Sequence, residues 1–208
     1  MRLKNVRNAS EIISNSSYIV KEPQKYKGKW NKLFNNTNPI DIEIGMGKGD
    51  FIIGMAKKHP DINYIGIEMF DSVIVRAVQK LDDEIIDNLR LIRMDANLIN
   101  DIFCNEVNTI YLNFSDPWPK NRHEKRRLTS SYFLKKYDDI FKDEKKIFQK
   151  TDNIDLFAYS IESLSCYGYI LKNVTMNLKD LEDNVMTEYE KKFVSKNVKI
   201  CRLEAYKK

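Results

Sequence analysis

Short apolar runs alternate with helix-like segments through most of the chain. Five runs rich in Ile, Leu, Val, Tyr and Phe predict β-strands at residues 40–44, 63–68, 89–94, 107–114 and 146–150. The segments between them favour helices at residues 51–58, 72–81, about 98–103 and 129–141. This alternation predicts an α/β fold built on a mostly parallel sheet with helices on both faces.

The last part of the chain has a different pattern. Apolar runs at residues 169–174 and 198–205 predict two further strands. Between them lie a polar stretch at residues 180–183 and a helix-like segment at residues 188–194. A late pair of strands with this spacing predicts an antiparallel C-terminal edge on the sheet.

The first 35 residues are rich in Asn, Ser and Lys. We interpret residues 1–35 as a basic arm, extended or mobile, with Trp30 and Phe34 as anchors on the body. Residues 36–208 are then a single domain, which a chain of 208 residues with 42% hydrophobic content can support.

The first predicted strand runs directly into three alternating glycines, Gly45, Gly47 and Gly49. Without a Cβ atom, these residues can adopt positive φ and let a ligand approach the main chain. Asp50 stands where a dinucleotide-binding GxGxxG motif has its third glycine, which disfavours NAD. Asp41 and Glu43 would repel a pyrophosphate but suit a cation. S-adenosyl-L-methionine carries a sulfonium and an ammonium, so it is the favoured ligand.

Acidic residues close four of the predicted strands: Glu43, Glu68, Asp95 and Asp116. The carboxyl ends of parallel strands share one edge of a sheet, so these side chains are expected to face one crevice. Glu68 follows the glycines by about 20 residues, the usual spacing for a carboxylate that binds ribose hydroxyls; an ordinary polar strand end is the alternative. Asp95 would accept from an adenine amino group beside the Ala96 amide, or it would simply cap the next helix.

A second distinctive segment is Asp116-Pro117-Trp118-Pro119, at the end of the fourth strand. The two prolines make the segment rigid, and it predicts a wall beside the reactive methyl group. A Trp simply buried over the sheet is the alternative. Amino-group methyltransferases place Asp or Asn with Pro-Pro-aromatic at this kind of strand end. Here Trp118 separates the prolines, which favours a different acceptor atom.

The net charge of +5 is clustered in two basic blocks. The first block contains Lys21, Lys25, Lys27, Lys29 and Lys32, and the second contains Lys120, Arg122, Lys125, Arg126 and Arg127. One such block is often only a solvated face, but two in a small chain favour a polyanionic partner.

Other function classes have little support in the composition. Three widely spaced cysteines and two histidines predict neither a disulfide framework nor a metal centre. The sequence shows no apolar signal-peptide core and no run long enough to span a membrane. We therefore expect a soluble cytoplasmic protein without a metal, and no obligate protein partner is evident.

Over nearly its whole length the chain resembles the bacterial tRNA (guanine-N7)-methyltransferases of the TrmB type. The resemblance rests on the motifs KYKGKW at 25–30, EIGMGKG at 43–49, YIGIE at 64–68, RMDA at 93–96, NFSDPWPK at 113–120, HEKRRLT at 123–129, KTDN at 150–153 and TEYE at 187–190. It implies a Rossmann-like class I S-adenosylmethionine-dependent methyltransferase fold. It also implies a tRNA substrate, methylated on N7 of the guanosine at position 46 in the variable loop.

The resemblance also implies a role for individual residues. The cofactor-binding set would be Glu43, Gly45, Gly47, Gly49, Glu68, Asp95, Ala96 and Asp116, with Asp116 also catalytic. The substrate-binding set would be Lys120, Asp152, Thr187, Glu188, Tyr189 and Glu190. The RNA-binding set would be Arg122, His123, Lys125, Arg126 and Arg127.

Some of these positions have a structural alternative. Thr187 and Glu190 also form the Thr-x-x-Glu pattern of a capping box, which can coexist with a binding role. Asp152 and Asn153 could cap the next helix, and we favour that reading for Asn153. His123 is interpreted as a phosphate or loop contact rather than a base.

Guanine N7 already exposes a lone pair, so its methylation requires no strong base. We expect Asp116 to orient the guanine or the cofactor ammonium and to stabilise the cationic product. N7 lies in the deep, narrow groove of A-form RNA, so the target base must be splayed or in a distorted loop. Trp118, Phe114 or Tyr189 could then stack on it.

Two turns depart from the family pattern, at residues 142–145 and 195–197, where relatives usually have glycine. Two other functions stay open. An NAD-dependent oxidoreductase lacks its glycine motif and an evident acid for hydride transfer. A non-catalytic RNA-binding protein on a methyltransferase fold is the stronger rival.

Overall fold

A seven-stranded sheet forms the centre of the molecule. The computed structural model describes residues 6–82, 84–178, 184–196 and 198–208. The strands are β1 (Ile40–Ile44), β2 (Asn63–Glu68), β3 (Leu89–Arg93), β4 (Val107–Asn113), β5 (Phe141–Thr151), β6 (Ile170–Thr175) and β7 (Cys201–Lys207). Their order is β3-β2-β1-β4-β5-β7-β6, with β1 to β5 parallel and β7 antiparallel to both of its neighbours. The predicted mostly parallel sheet with an antiparallel edge is confirmed.

Helices connect the strands and cover the sheet. They are α1 (Ala9–Asn15), α2 (Trp30–Phe34), α3 (Asp50–Lys58), α4 (Asp71–Lys80), α5 (Ile99–Ile102), α6 (Ser131–Asp138), α7 (Ile154–Cys166) and α8 (Glu188–Val194). Short 3-10 turns occupy Pro23–Tyr26, Ala96–Leu98 and Asn121–Arg126.

Strand β1 shows how the sheet is buried on both faces. Its sequence alternates Ile with acidic residues, yet every position is buried. Ile40, Ile42 and Ile44 join the main hydrophobic core, whereas Asp41 and Glu43 point to the opposite face. On that face the ring of Phe51 from α3 packs against Tyr111 of β4, with centroids 5.0 Å apart. Two acidic groups are therefore held under a helix, out of water.

The predicted turn at residues 142–145 is wrong, because these residues lie inside β5. Val107 pairs with Phe141 and Thr109 with Lys146, so β5 accommodates the extra residues as a bulge. The charged side chains at 142–144 are exposed there, and no glycine is needed. In the other departure from the family pattern, Asn197 lies outside the described residues, as does the predicted polar stretch at 180–183.

Residues 6–35 are not extended, which corrects the sequence interpretation. They form α1, a 3-10 turn and α2, and the Leu91 amide of β3 donates to the Tyr18 carbonyl while the Val20 amide donates to the Leu91 carbonyl. The segment therefore pairs with the edge strand and covers it. The predicted anchors are confirmed: Phe34 is buried, and Trp30 is 0% exposed and donates its indole N–H to the Ile102 carbonyl at 2.7 Å. The boundary of a separate arm at residue 35 stays a prediction.

One carboxylate attaches the arm to the body. Glu106 accepts from the backbone amides of Gly28 (2.8 Å), Trp30 (3.0 Å) and Cys104 (3.2 Å).

We expect Glu106→Ala to lower the free energy of unfolding by about 1–3 kcal/mol, because three amides lose their acceptor. Urea denaturation measures this. The control Glu22→Ala removes only an exposed ion pair with Lys25 and should change stability by less than about 0.5 kcal/mol. Equal effects of the two substitutions would contradict this role of Glu106.

Candidate active site

The candidate site lies where the strand order reverses, between β1 and β4. The loops that follow these neighbouring strands open away from each other and leave a crevice at the carboxyl edge of the sheet. One loop carries the three glycines and the other carries Asp116. The Asn113 side chain at the end of β4 donates to Glu43 Oε1 on β1 at 2.9 Å and ties the bases of the two loops together.

The glycine loop has the conformation that its spacing predicts. Gly45, Gly47 and Gly49 have φ of +76°, +59° and +79°. An added Cβ at Gly45 or Gly47 would meet no described atom within 4 Å, whereas at Gly49 it would lie 2.9 Å from Ala77 Cβ on α4. Gly45 and Gly47 therefore leave open space for a ligand, and Gly49 is required for packing.

Glu68 holds the glycine loop against the second strand. Its Oε2 accepts from the Gly47 amide at 3.1 Å, and its Oε1 accepts from the amides of Met69 at 2.8 Å and Phe70 at 3.0 Å. Burial raises the pKa of Glu68, and the negative charge of Asp116 adds to the rise. Glu68 and Asp116 are thus close enough to interact, as expected for acids at one edge.

Glu43 is the most buried of the predicted acids, at 1% exposure. Burial raises the pKa of Glu43 to about 8, and the charge of Glu68 contributes to the rise. Its Oε2 has no hydrogen-bond partner among the described residues. A buried oxygen without a partner is costly, and it fits a site that a cationic ligand completes.

Asp95 is exposed, unlike Glu43 and Glu68, and it caps the 3-10 turn Ala96–Leu98. Its Oδ1 accepts from the Asn97 amide at 2.8 Å and from the Asn97 side chain at 2.9 Å. The capping alternative for Asp95 is confirmed, and contact of Asp95 and Ala96 with adenine stays a prediction.

The loop that carries Asp116 has a strained backbone. Phe114 and Trp118 have φ of +52° and +43°, a region that bulky residues rarely occupy. The Phe114 amide donates to the Lys150 carbonyl of β5 at 2.8 Å, so the loop leaves the sheet at a defined point. Asp116 itself is exposed at the tip. Strain of this kind persists only where surrounding contacts maintain it.

Helix α8 closes one side of the crevice. The capping box is confirmed, since Thr187 Oγ1 accepts from the Glu190 amide at 2.9 Å and the Glu190 carboxylate accepts from the Thr187 amide. Glu188 pairs with Lys48 of the glycine loop at 2.7 Å. Tyr189 is exposed and stacks on Phe114, with ring centroids 6.4 Å apart. The predicted substrate residues of α8 therefore border both loops.

The sequence predicts no role for Lys150, but in the structure its side chain attaches α8 to the end of β5. Its ammonium donates to Glu190 Oε2 at 3.0 Å, and both side chains are buried. Burial lowers the pKa of Lys150, and the Glu190 carboxylate opposes that shift. A polar residue at the carboxyl end of a buried strand was the available signal for Lys150, as for Asn113. Since the Glu190 carboxylate is already engaged here, its substrate role stays a prediction.

The end of β5 places two further predicted residues. Asn153 accepts from the Leu156 amide at 2.7 Å, so it caps α7 as favoured from the sequence. Asp152 is half-buried, and its charge adds to the effect of burial in raising the pKa of the Cys201 thiol. Lys120 is exposed just beyond the Asp116 loop.

Comparison with known proteins agrees with this geometry. A family model described as "Putative methyltransferase" matches residues 37–203. A tRNA (guanine-N(7)-)-methyltransferase of Bacillus licheniformis is 52% identical, over 99% of this chain and 98% of its own length. One of Bacillus subtilis is 52% identical, over 98% of each chain. The chain belongs to the tRNA (guanine-N7-)-methyltransferase family.

The fold of this methyltransferase is shared more widely than its sequence. A solved structure of an antibiotic-related methyltransferase superposes with a TM-score of 0.65 at 17% identity, covering 86% of this chain and 92% of that one. The Rossmann-like class I methyltransferase fold predicted from the sequence is confirmed.

The second basic block of the methyltransferase borders the Asp116 loop. Arg122, Lys125 and Arg126 are exposed on the 3-10 turn Asn121–Arg126. The Arg126 guanidinium lies 4.8 Å from the centre of the Trp118 ring, and His123 meets the same ring edge-on at 5.6 Å. Arg127, by contrast, is half-buried and points into the loop. The second basic block therefore contains both exposed cations and a half-buried one.

The first basic block lies at the other end of the sheet. Its backbone at Gly28 and Trp30 is bound by Glu106, which directly precedes the first residue of β4. The Asp116 loop follows the last residue of the same strand. About 20 Å of strand therefore separates Glu106 from the start of the Asp116 loop. The five lysines are exposed. The two blocks are not one continuous patch at the crevice.

The described residues include no group of three or more His, Cys, Asp or Glu placed to hold a metal ion. In the same residues, every helix is too short or too polar to cross a bilayer.

The burial of Glu43 predicts a distinctive pH dependence of stability. Its pKa is raised from 4.5 to about 8 on folding, so between these values the folded state retains a proton that the unfolded state has lost. Stability from this group is therefore present at low pH and is lost as the pH rises toward 8. Glu43→Gln cannot ionise and should exceed wild type in free energy of unfolding by at least about 1 kcal/mol at pH 8.5, with a smaller difference at pH 5.

Denaturant titrations at several pH values measure this difference. Glu162→Gln, at an exposed position of α7, is the control and should follow wild type at every pH. A constant difference between wild type and Glu43→Gln from pH 5 to 8.5 would contradict the assignment.

Proposed function

We propose that the protein transfers a methyl group from S-adenosyl-L-methionine to N7 of the guanosine at position 46, in the variable loop of tRNA. The observation that carries the proposal is the placement of Glu43, Glu68 and Asp116 at the carboxyl ends of β1, β2 and β4, between an open glycine loop and an exposed basic turn. Acids at this edge suit a cationic methyl donor, and basic groups beside them suit RNA. Family membership supports the choice of base and atom, and a tRNA substrate implies a cytoplasmic location.

The residues of the crevice fit the donor. Gly45 and Gly47 would border its methionine part, and the cationic donor would favour the ionised form of Glu43, whose Oε2 has no partner among the described residues. Glu68 would bind the ribose and Asp95 with Ala96 the adenine. When bound, the donor supplies an electrophilic methyl group on a sulfonium.

Asp116 acts on the acceptor side. Guanine N7 attacks through its own lone pair, and no proton leaves that atom. The carboxylate therefore orients the base or the donor ammonium and stabilises the positive charge that forms on the purine. Phe114 and Tyr189, stacked beside the loop, provide aromatic surface for a base taken out of its helix.

The exposed cations of the two basic blocks would bind phosphates. Because the two basic blocks lie near opposite ends of β4, they favour binding of a folded RNA over a short single strand. Affinity for tRNA should fall steeply as salt is raised, since bound cations release counterions from the RNA.

The test is transfer of labelled methyl groups to an unmodified tRNA transcript. The protein should methylate this transcript but not one with 7-deazaguanosine at position 46, which lacks only the reacting atom. Asp116→Asn should lower kcat by about 100-fold while the tRNA Kd changes little. The rate of the chemical step in wild type should be nearly independent of pH around neutrality.

Other outcomes would contradict the proposal. Binding of tRNA and donor without any transfer would leave the RNA-binding alternative, and binding of NADH instead would favour an oxidoreductase. A rate that rises tenfold per pH unit, with loss of that dependence in Asp116→Asn, would make Asp116 a general base.

A further inference from the structure

The Asp116 loop is held at two points, one before and one after the carboxylate. Before it, the Phe114 amide donates to the Lys150 carbonyl at 2.8 Å. After it, Arg127 Nε donates to the carbonyls of Pro117 at 3.2 Å and Trp118 at 3.3 Å, and Arg127 Nη2 donates to the Trp118 carbonyl at 3.1 Å. These carbonyls belong to the two residues that directly follow Asp116.

The Arg127 guanidinium is itself fixed from behind. It lies 4.2 Å from the centre of the Tyr159 ring on α7, and the Tyr159 hydroxyl donates to Glu124 at 2.8 Å. The chain after Arg127 is tied to the same helix, since the hydroxyls of Thr129 and Ser160 are 2.8 Å apart. Helix α7, whose Phe157 and Leu164 are buried in the main core, thus sets the position of the guanidinium.

We propose that Arg127 is a positioning residue that holds the Asp116 carboxylate at its working place, and that it does not serve as one of the phosphate contacts of the basic block. This inference rests on the proposed function, because it concerns the geometry of the methyl acceptor side.

The neighbouring arginines show the contrast. Arg122 and Arg126 are exposed, whereas Arg127 is half-buried and has two loop carbonyls and an aromatic face as its partners. Trp118 has φ of +43°, so the loop needs a strong contact to keep this conformation. Bonds from a guanidinium to carbonyls are charge-assisted and directional, which suits that task.

The test compares Arg127→Ala, Arg127→Lys and the exposed control Arg122→Ala. Arg127→Ala should lower kcat on the order of 10- to 100-fold, because a small displacement of a reacting group has an effect of that size. The tRNA Kd and its slope against salt should remain near wild type. Arg122→Ala should instead weaken tRNA binding and give a shallower salt slope, because it removes an exposed cation rather than a loop contact.

Arg127→Lys separates geometry from charge. Lysine keeps the positive charge, but its ammonium is not planar. It cannot donate to both loop carbonyls and also stack on the Tyr159 ring, as the planar guanidinium of Arg127 does. We therefore expect Arg127→Lys to stay within a few-fold of Arg127→Ala in kcat. Tyr159→Ala should lower kcat in the same direction, and the double variant Arg127→Ala with Tyr159→Ala should be less impaired than the product of the two single effects.

Three results would overturn the proposal: Arg127→Lys with the kcat of wild type, Arg127→Ala with a reduced salt slope, or a loss of kcat in Arg127→Ala no greater than its loss of folded protein. Tryptophan fluorescence gives a readout that needs no activity. A change in it can be assigned to Trp118, because the other tryptophan, Trp30, is fully buried away from the loop. A shifted Trp118 signal in folded Arg127→Ala is expected. If the wild-type protein methylates no tRNA but Arg127→Ala still shows this shift, the proposed function is refuted while the loop contact of Arg127 stands.

Discussion

The main constraint on this structure is that carboxylates must be kept at the edge of a sheet that is buried on both faces. Glu43 stands on a central strand beneath α3 and is almost inaccessible to water. Removing an acid from water is unfavourable, and the rest of the site reduces that penalty: Asn113 donates to one oxygen, Lys150 contributes positive charge nearby, and protonation accounts for the remainder. Each of these partners also orders a loop, so the contacts that accommodate the acid also shape the crevice.

Lys150 likewise contributes to two parts of the site. Its backbone carbonyl binds the start of the Asp116 loop, and its ammonium binds Glu190 at the start of α8. One residue at the end of β5 therefore connects the predicted catalytic loop with the predicted acceptor-binding helix. A displacement of either would be transmitted to the other through a short, buried path.

Local sequence was sufficient for the strands, because five short apolar runs with clear ends could only be buried in a parallel sheet. The β1 and β2 bounds agree with the prediction, and the glycine loop follows from the need for positive φ. The order in residues 6–35 is hard to predict, because their polar composition hides a few buried anchors, such as Ile13 and Val20. The bulge in β5 is not predicted either, because the charged residues at 142–145 favour a turn. In the site, Arg127 was grouped with its exposed neighbours, since nothing local to it shows that α7, more than 25 residues later in the chain, supplies Tyr159.

The pair between Lys48 and Glu188 differs from the buried pair below it, because both of its side chains are partly solvated. An ion pair of this kind contributes less than about 1 kcal/mol, an amount comparable with thermal energy. The ion pair between Lys48 and Glu188 can therefore break and re-form while the buried Lys150–Glu190 contact is kept. Attachment of α8 to the body depends on the buried pair, so loss of the outer pair alone would leave the helix in place.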